Sequence, residues 1–170
     1  MTQHNLDSQF KSIADTVPVH IWASGSDKSV IYLNQEWLSY TGKPLEQQLG
    51  YGWESSIHPD DLPHCNSIYN EHFERCEPFE VEFRLERNDG QYRYFKGKGA
   101  PRFDTTGTFS GFSGYCMDVH DKHEINGLLD QKIVEDSQEL QLTTEKLRQQ
   151  VAFSEKIFNA SVDVMIVYDR

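Results

Sequence analysis

The sequence predicts an α+β domain: a five-stranded antiparallel sheet, short helices inserted after the second strand, and a long helix following the fifth. Three observations carry that prediction. Two short apolar runs, "VHIWA" and "SVIYLN", flank the turn-forming "SGSDK" and read as a hairpin. "FEVEFRLE" alternates apolar and charged residues without a fault and runs into "NDG", a strong hairpin turn. From Asp121 the composition turns polar and helix-forming.

Taken in order, residues 1–9 are a polar, flexible start. "SQFKSIADTVP" reads as a short helix using Phe10, Ile13 and Val17, ended near Pro18. After the first hairpin, Asn34 offers a cap to a helix presenting Trp37, Leu38 and Tyr40, and Gly42 stops it. Pro44 and Gly50 bracket a second short helix. In "YGWESSIHPDD" the apolar Trp53 and Ile57 anchor the incoming chain. Asp60 is placed to cap the next helix, with Asp61 favourable at its positive end. Leu62, Cys65, Tyr69, Phe73 and Cys76 form that helix's apolar stripe. Phe79, Val81, Phe83 and Leu85 then share one strand face, opposite Glu80, Glu82, Arg84 and Glu86. "QYRYFKGKGAPRF" and "FSGFSGYCMDV" supply the last two strands, with Gly111 and Gly114 marking bends or close backbone approach.

Residues 121–156 form a linker helix. Leu129, Ile133, Leu140 and Leu147 follow a three-then-four spacing that suits a parallel two-stranded coiled coil, although Asp136 and Thr143 interrupt the seam. A helix folded back onto the body is the alternative. "IADTVPVHIWA" and "IFNASVDVMIV" share a short helix, a break and an apolar strand start. Residues 157–170 are therefore expected to begin a second, truncated domain of the same kind.

Composition narrows the function. A net charge of -11 argues against a nucleic-acid or anionic-membrane surface. The cysteines at 65, 76 and 116 lack C-x-x-C spacing and suit reduced thiols in a cytoplasmic protein. The first residues lack signal-peptide order, and no run reaches the roughly 20 apolar residues of a membrane helix. A membrane anchor elsewhere in a full-length protein stays open. No phosphate-binding glycine loop has strand–helix framing, and no Ser-His-Asp set can be assigned, so no enzymatic activity or catalytic residue is expected in this stretch. No metal site is expected either.

Residues 10–120 resemble a PAS sensor domain of bacterial multidomain signalling proteins. The resemblance rests on "VHIWASGSDKSVIYLNQEWLSYTG", "GWESSIHPDD", "FEVEFRLERNDGQYRYFKGKGAPRFD" and "GFSGYCMDVHD". It implies a sensory or relay module of a sensor histidine kinase in a two-component phosphorelay, joined to adjacent PAS and output domains. A cyclase, a phosphodiesterase or a chemotaxis-type receptor is the alternative parent. The closing "MDVHD" resembles the family's Asp-hydrophobic-Thr element, with His120 in place of Thr and Asp118 as the signal exit. "KHEIN", with His123, lacks the residues expected of a phosphoacceptor and reads as linker surface.

The cofactor is unknown, and none is the expectation. "TGKPLEQQLGYGW" has no cysteine where a light–oxygen–voltage flavin domain needs one. Haem stays a weaker alternative, with His64 and His72 on the predicted long helix as candidate ligands. Trp22, Tyr32, Trp37, Tyr40, Trp53, Phe83, Tyr94 and Phe112 are candidates for the core or a small pocket, open to a small-molecule ligand. The reading is a homodimer in which a ligand or partner shifts the populations of two arrangements. A non-sensing dimerisation scaffold is the competing class.

Overall fold

The computed structural model describes residues 9 and 11–168, with side chains to residue 158. The expected flexible start therefore lies outside the described residues, apart from Gln9. The chain divides into two compact units, one reaching His123 and one beginning at Glu124. In the first unit a helical turn, α1 (residues 11–14), leads to β1 (His20–Ser24) and β2 (Val30–Leu33). Helices α2 (Gln35–Thr41) and α3 (Leu45–Gln48), the 3-10 turn Gly52–Ser56 and helix α4 (Leu62–Arg75) follow. Then come β3 (Phe79–Glu86), β4 (Tyr92–Phe103) and β5 (Phe109–Asp118). The strands pair in the order β2-β1-β5-β4-β3, all antiparallel.

The alternation in β3 aims Phe79, Val81, Phe83 and Leu85 at the core, which continues through Phe95, Phe112 and Cys116 on the neighbouring strands. Cys65, Tyr69 and Phe73 of α4 cover the same face. Gly111 adopts φ +110, and a Cβ there would lie 2.1 Å from the Ser24 carbonyl oxygen, so β5 crosses β1 only because glycine is present. Gly90 closes the β3–β4 hairpin with φ +82, as "NDG" leads one to expect.

Two helix starts differ from expectation. The first turn buries Ala14 and leaves Ile13 exposed. The cause is Asn34, fully buried, which donates to the carbonyls of Ala14 and Val19 at 2.8 Å and accepts from Ile21 and Trp37. Asn34 thus caps α2 and also fixes how α1 meets β1. Asp61, not Asp60, sits at the N-cap of α4 and makes no side-chain cap bond. Its carboxylate instead takes the Arg84 backbone N–H and both arms of the Arg84 guanidinium at 2.7–2.9 Å. A bidentate charge-assisted pair is stronger than a neutral cap bond and joins α4 to β3. Cys76 ends the stripe: it takes φ 53 as the C-cap.

In the second unit the helix α5 (His120–Tyr168) continues to Tyr168. Leu129, Ile133, Leu140 and Leu147 are all exposed along it. Residues 157–168 are helical where the sequence leads one to expect a break and a strand. An isolated strand has no neighbour for its backbone groups, whereas a helix satisfies its own.

Candidate functional site

Two places in the first unit combine chemistry with position. The first is a cavity of about 60 Å³ between the sheet and α4. Trp22, Trp37 and Trp53 line it with Cys65, Tyr69 and Cys116, so every tryptophan of the chain faces it. The Tyr69 hydroxyl is committed to Ser24 Oγ at 2.8 Å. Behind Trp37 a polar chain reaches the surface. Trp37 Nε1 donates to Gln48 Oε1 at 3.0 Å, and Ser56 Oγ donates to the same oxygen at 3.1 Å. Lys43 Nζ donates to Ser56 Oγ and to Glu86. Gln48 is fully buried, and its Nε2 and Trp53 Nε1 are buried N–H groups with no partner among the described residues.

The surroundings disfavour charge. Burial pushes the Cys65 and Cys116 thiols up to about 12, so both stay protonated and weakly nucleophilic. Burial likewise lowers His20 to about 4, although Asp118 opposes the shift. The His20 ring is boxed edge-on by Trp37, Tyr40 and Phe95 at 4.9–6.0 Å. Its Nε2 and the Tyr40 hydroxyl also lack partners among the described residues.

The second place is the end of β5. Asp118 accepts from Arg93 Nε at 2.7 Å, and Arg93 Nη2 donates to Asp121 at 2.7 Å in the first turn of α5. The other Asp118 oxygen accepts the His120 N–H at 2.9 Å. The Val119 N–H reaches the Tyr94 carbonyl at 2.8 Å. The Tyr94 ring stacks on His123 with centroids 4.4 Å apart, and His123 Nε2 lies 3.1 Å from Glu82. Strands β3 and β4 therefore hold residues 118–123 from both faces at their rim: Arg93 from the edge of the inner face, opposite Leu85, and Tyr94 and Glu82 from the outer face.

Of the proposed core or pocket residues, Trp37, Phe83 and Phe112 are buried in the core, and Trp22, Tyr40 and Trp53 pack against it. Two are corrected. Tyr94 alternates with Phe95, which takes the inner position, so Tyr94 meets the exit histidines instead. Tyr32 alternates with the buried Leu33 and sends its hydroxyl to Asp15 at 3.3 Å. His64 is exposed, and His72 is half-buried beside Phe79; neither lines the cavity. His58 is a local hydrogen-bonding group, its Nδ1 accepting the Asp60 N–H. Among the described residues, no group of three or more His, Cys, Asp or Glu is placed to hold a metal ion. None of the described helices is long and apolar enough to cross a membrane.

The element order and the polar anchor at the end of β5 are the features to compare with known proteins. A family model described as the PAS fold matches residues 30–116. This chain belongs to the PAS family. Uncharacterized protein y4lL of Sinorhizobium fredii is 37% identical to this PAS domain over 128 residues, covering 74% of this chain and 16% of that protein. The peroxide stress-activated histidine kinase mak1 of Schizosaccharomyces pombe is 37% identical over 114 residues, covering 66% of this chain and 7% of the kinase. The chain thus spans a small part of the curated relatives it matches. The solved structure of an RNA-binding light–oxygen–voltage receptor aligns with a TM-score of 0.66 at 20% identity, over 79% of this chain and 39% of that one. At that identity the likeness is one of fold. PAS domains of this kind are non-catalytic sensor modules of signalling proteins, among them histidine kinases.

Sequence reasoning missed Arg93, Arg84 and Gln48. Arg84 and Arg93 were visible only as polar members of strands, and nothing in their spacing names Asp61 or Asp118 as partners. Gln48 lies in a short polar helix, where no periodicity marks it as buried.

Proposed function

We propose that this PAS domain is a relay module of a sensor histidine kinase, reporting the state of its interior through α5 to the domain that follows. The observation that carries the reading is the Arg93 guanidinium, which bridges Asp118 at the end of the sheet and Asp121 in the first turn of α5. Any change that moves β4 against β5 moves that bridge, and two arrangements of the bridge give the helix two states. The named kinase among the relatives supports the kinase parent.

The same reading makes the protein a homodimer, with Leu129, Ile133, Leu140 and Leu147 as the seam of a coiled coil formed by the two α5 helices. Four exposed apolar side chains at heptad spacing on a continuous helix support it. The full-length protein would act in the cytoplasm. The decisive experiment is autophosphorylation of the full-length protein with Arg93→Gln. The relay reading expects output locked at one level whatever the stimulus, with the PAS domain still folded. Normal regulation in the variant would contradict it. Ile133→Asp is expected to convert the dimer to monomer by sedimentation, because it buries a charge in the seam. An unchanged dimer mass removes the seam.

A further inference from the structure

The exit of the sheet sets two histidines on one aromatic ring. His120 opens α5 and His123 follows three residues later, and both rings lie nearly parallel to Tyr94, with centroids 5.9 and 4.4 Å away. Imidazole is the side chain whose charge changes in the physiological pH range, so these contacts differ with protonation. The two rings are placed for opposite states. His123 Nε2 lies 3.1 Å from Glu82 Oε2. A neutral His123 ring donates an ordinary hydrogen bond there. A protonated ring makes the bond charge-assisted, roughly twice as strong, and sets a cation over the Tyr94 face. His120 Nδ1 instead accepts from the Tyr94 N–H at 3.4 Å. A proton on that nitrogen turns the acceptor into a second donor. A cation at the first residue of a helix also meets the positive end of the helix dipole. A second cation three residues away would repel the first. The pair therefore accommodates one proton, on His123.

The surrounding charges leave Glu82 to His123. From β3, Arg84 turns its guanidinium to Asp61. From β4, Lys96 stands opposite Glu82 in the register but pairs with Glu80. Arg93 is taken by Asp118 of β5 and by Asp121 of α5. On the helix itself, Lys122 and Glu124 flank His123 with opposite charges.

We propose that Glu82, Tyr94 and His123 form a proton-responsive clamp on α5: one proton on His123 tightens the first turn against the sheet, while His120 stays neutral. The clamp deepens the relay reading by naming a signal that acts at the exit itself, and its consequence for output rests on that reading. The added attraction exists only while the proton is bound, so the clamp is tight at acid pH and slackens as the pH rises. The His123 and Glu82 side chains are 41% and 48% exposed, so the effect is modest and weakens in salt.

The test is amide hydrogen exchange of the whole 170-residue chain at about pH 6 and about pH 8, on either side of the ordinary imidazole range and corrected for the intrinsic pH dependence of exchange. The reporters are the Val119 and His123 N–H groups, which bond the carbonyls of Tyr94 and Val119. Their protection is expected to be about two- to fivefold higher at the lower pH, the scale of one partly exposed ion pair. The β3–β4 ladder should not share that rise. Glu82→Gln, which keeps an acceptor without the charge, should remove it, and so should His123→Gln. His120→Gln should keep it, and salt at about 1 M should shrink it. Ladder protection equal to wild type at the higher pH identifies a folded variant. A flat wild-type profile, a rise that survives Glu82→Gln, or a rise lost in His120→Gln but kept in His123→Gln would each overturn the clamp. If the rise appears as expected but Arg93→Gln leaves kinase regulation normal, the relay reading fails and the clamp stands. If protection is flat while Arg93→Gln still locks output, the clamp fails alone.

Discussion

The interior of the sheet and its exit use opposite physics. On the inner face Phe95, Phe112 and Leu85 are fully buried, the thiols are protonated and His20 is neutral. At the rim, near the end of β5, partly exposed ions and rings hold the chain: Arg93 with Asp118 and Asp121 at the edge of the inner face, and His123 with Tyr94 and Glu82 on the outer face. The inner face carries stability, because removal of apolar surface from water dominates folding. The rim contacts contribute little stability each, since solvent-accessible ion pairs are worth about 0–1 kcal/mol. A weak, directional anchor beside a rigid core is what a relay requires: the helix can change state without unfolding the domain.

That contrast can be broken by substitution, beginning with the core. Phe95→Ala is expected to cost about 3–5 kcal/mol, read as a lower denaturation midpoint, because a fully buried ring leaves a cavity. The next effect is acid sensitivity through His20. Its folded value of about 4 lies below the ordinary 6.5, so the unfolded chain binds the extra proton first. Stability is therefore complete above about pH 6.5 and falls as the pH drops toward 4, by about 3 kcal/mol in all. In His20→Gln that part of the slope should vanish, measured as the difference from wild type in urea midpoints across the range.

Asp61→Asn comes third. It should cost about 1–3 kcal/mol, since Asp61 accepts three hydrogen bonds from Arg84 and the pair is only partly exposed. The Arg84 hydrogen bonds hold the Asp61 carboxyl below its ordinary value. Its contribution is therefore intact above about pH 4 and is lost only below, an acid window distinct from that of His20. Urea midpoints of wild type and variant at pH 7 and pH 3 would separate the two groups. The smallest thermodynamic effect belongs to Arg93→Gln, within about 1 kcal/mol, although its effect on α5 should be the most visible.

The inner face was readable in advance because periodicity encodes it. Alternating residues in β3 and a helical stripe in α4 have spacings that a chain cannot hide, and "NDG" names its turn through the one residue able to take φ +82. The polar contacts at the rim were not readable, because their ion pairs join residues 23 to 28 positions apart and strands carry Arg and Glu for solubility alone. Tyr32 and Tyr94 lie where strand periodicity alone does not decide burial. In "YRYFKG" either phase of the alternation buries an aromatic residue, and only pairing of Phe95 with Phe83 settles which. Buried Gln48 and the double duty of Asn34 depend on the arrival of several segments at once, and no local pattern announces that.

The central claim is that the start of α5 is held to the sheet by side chains, independently of the core. Amide hydrogen exchange of wild type and Arg93→Gln tests it most directly. The account predicts faster exchange at Val119 and His123, whose N–H groups bond Tyr94 and Val119, with the β3–β4 ladder unchanged. Unchanged protection at Val119 and His123, or a loss spread through the whole sheet, would contradict it.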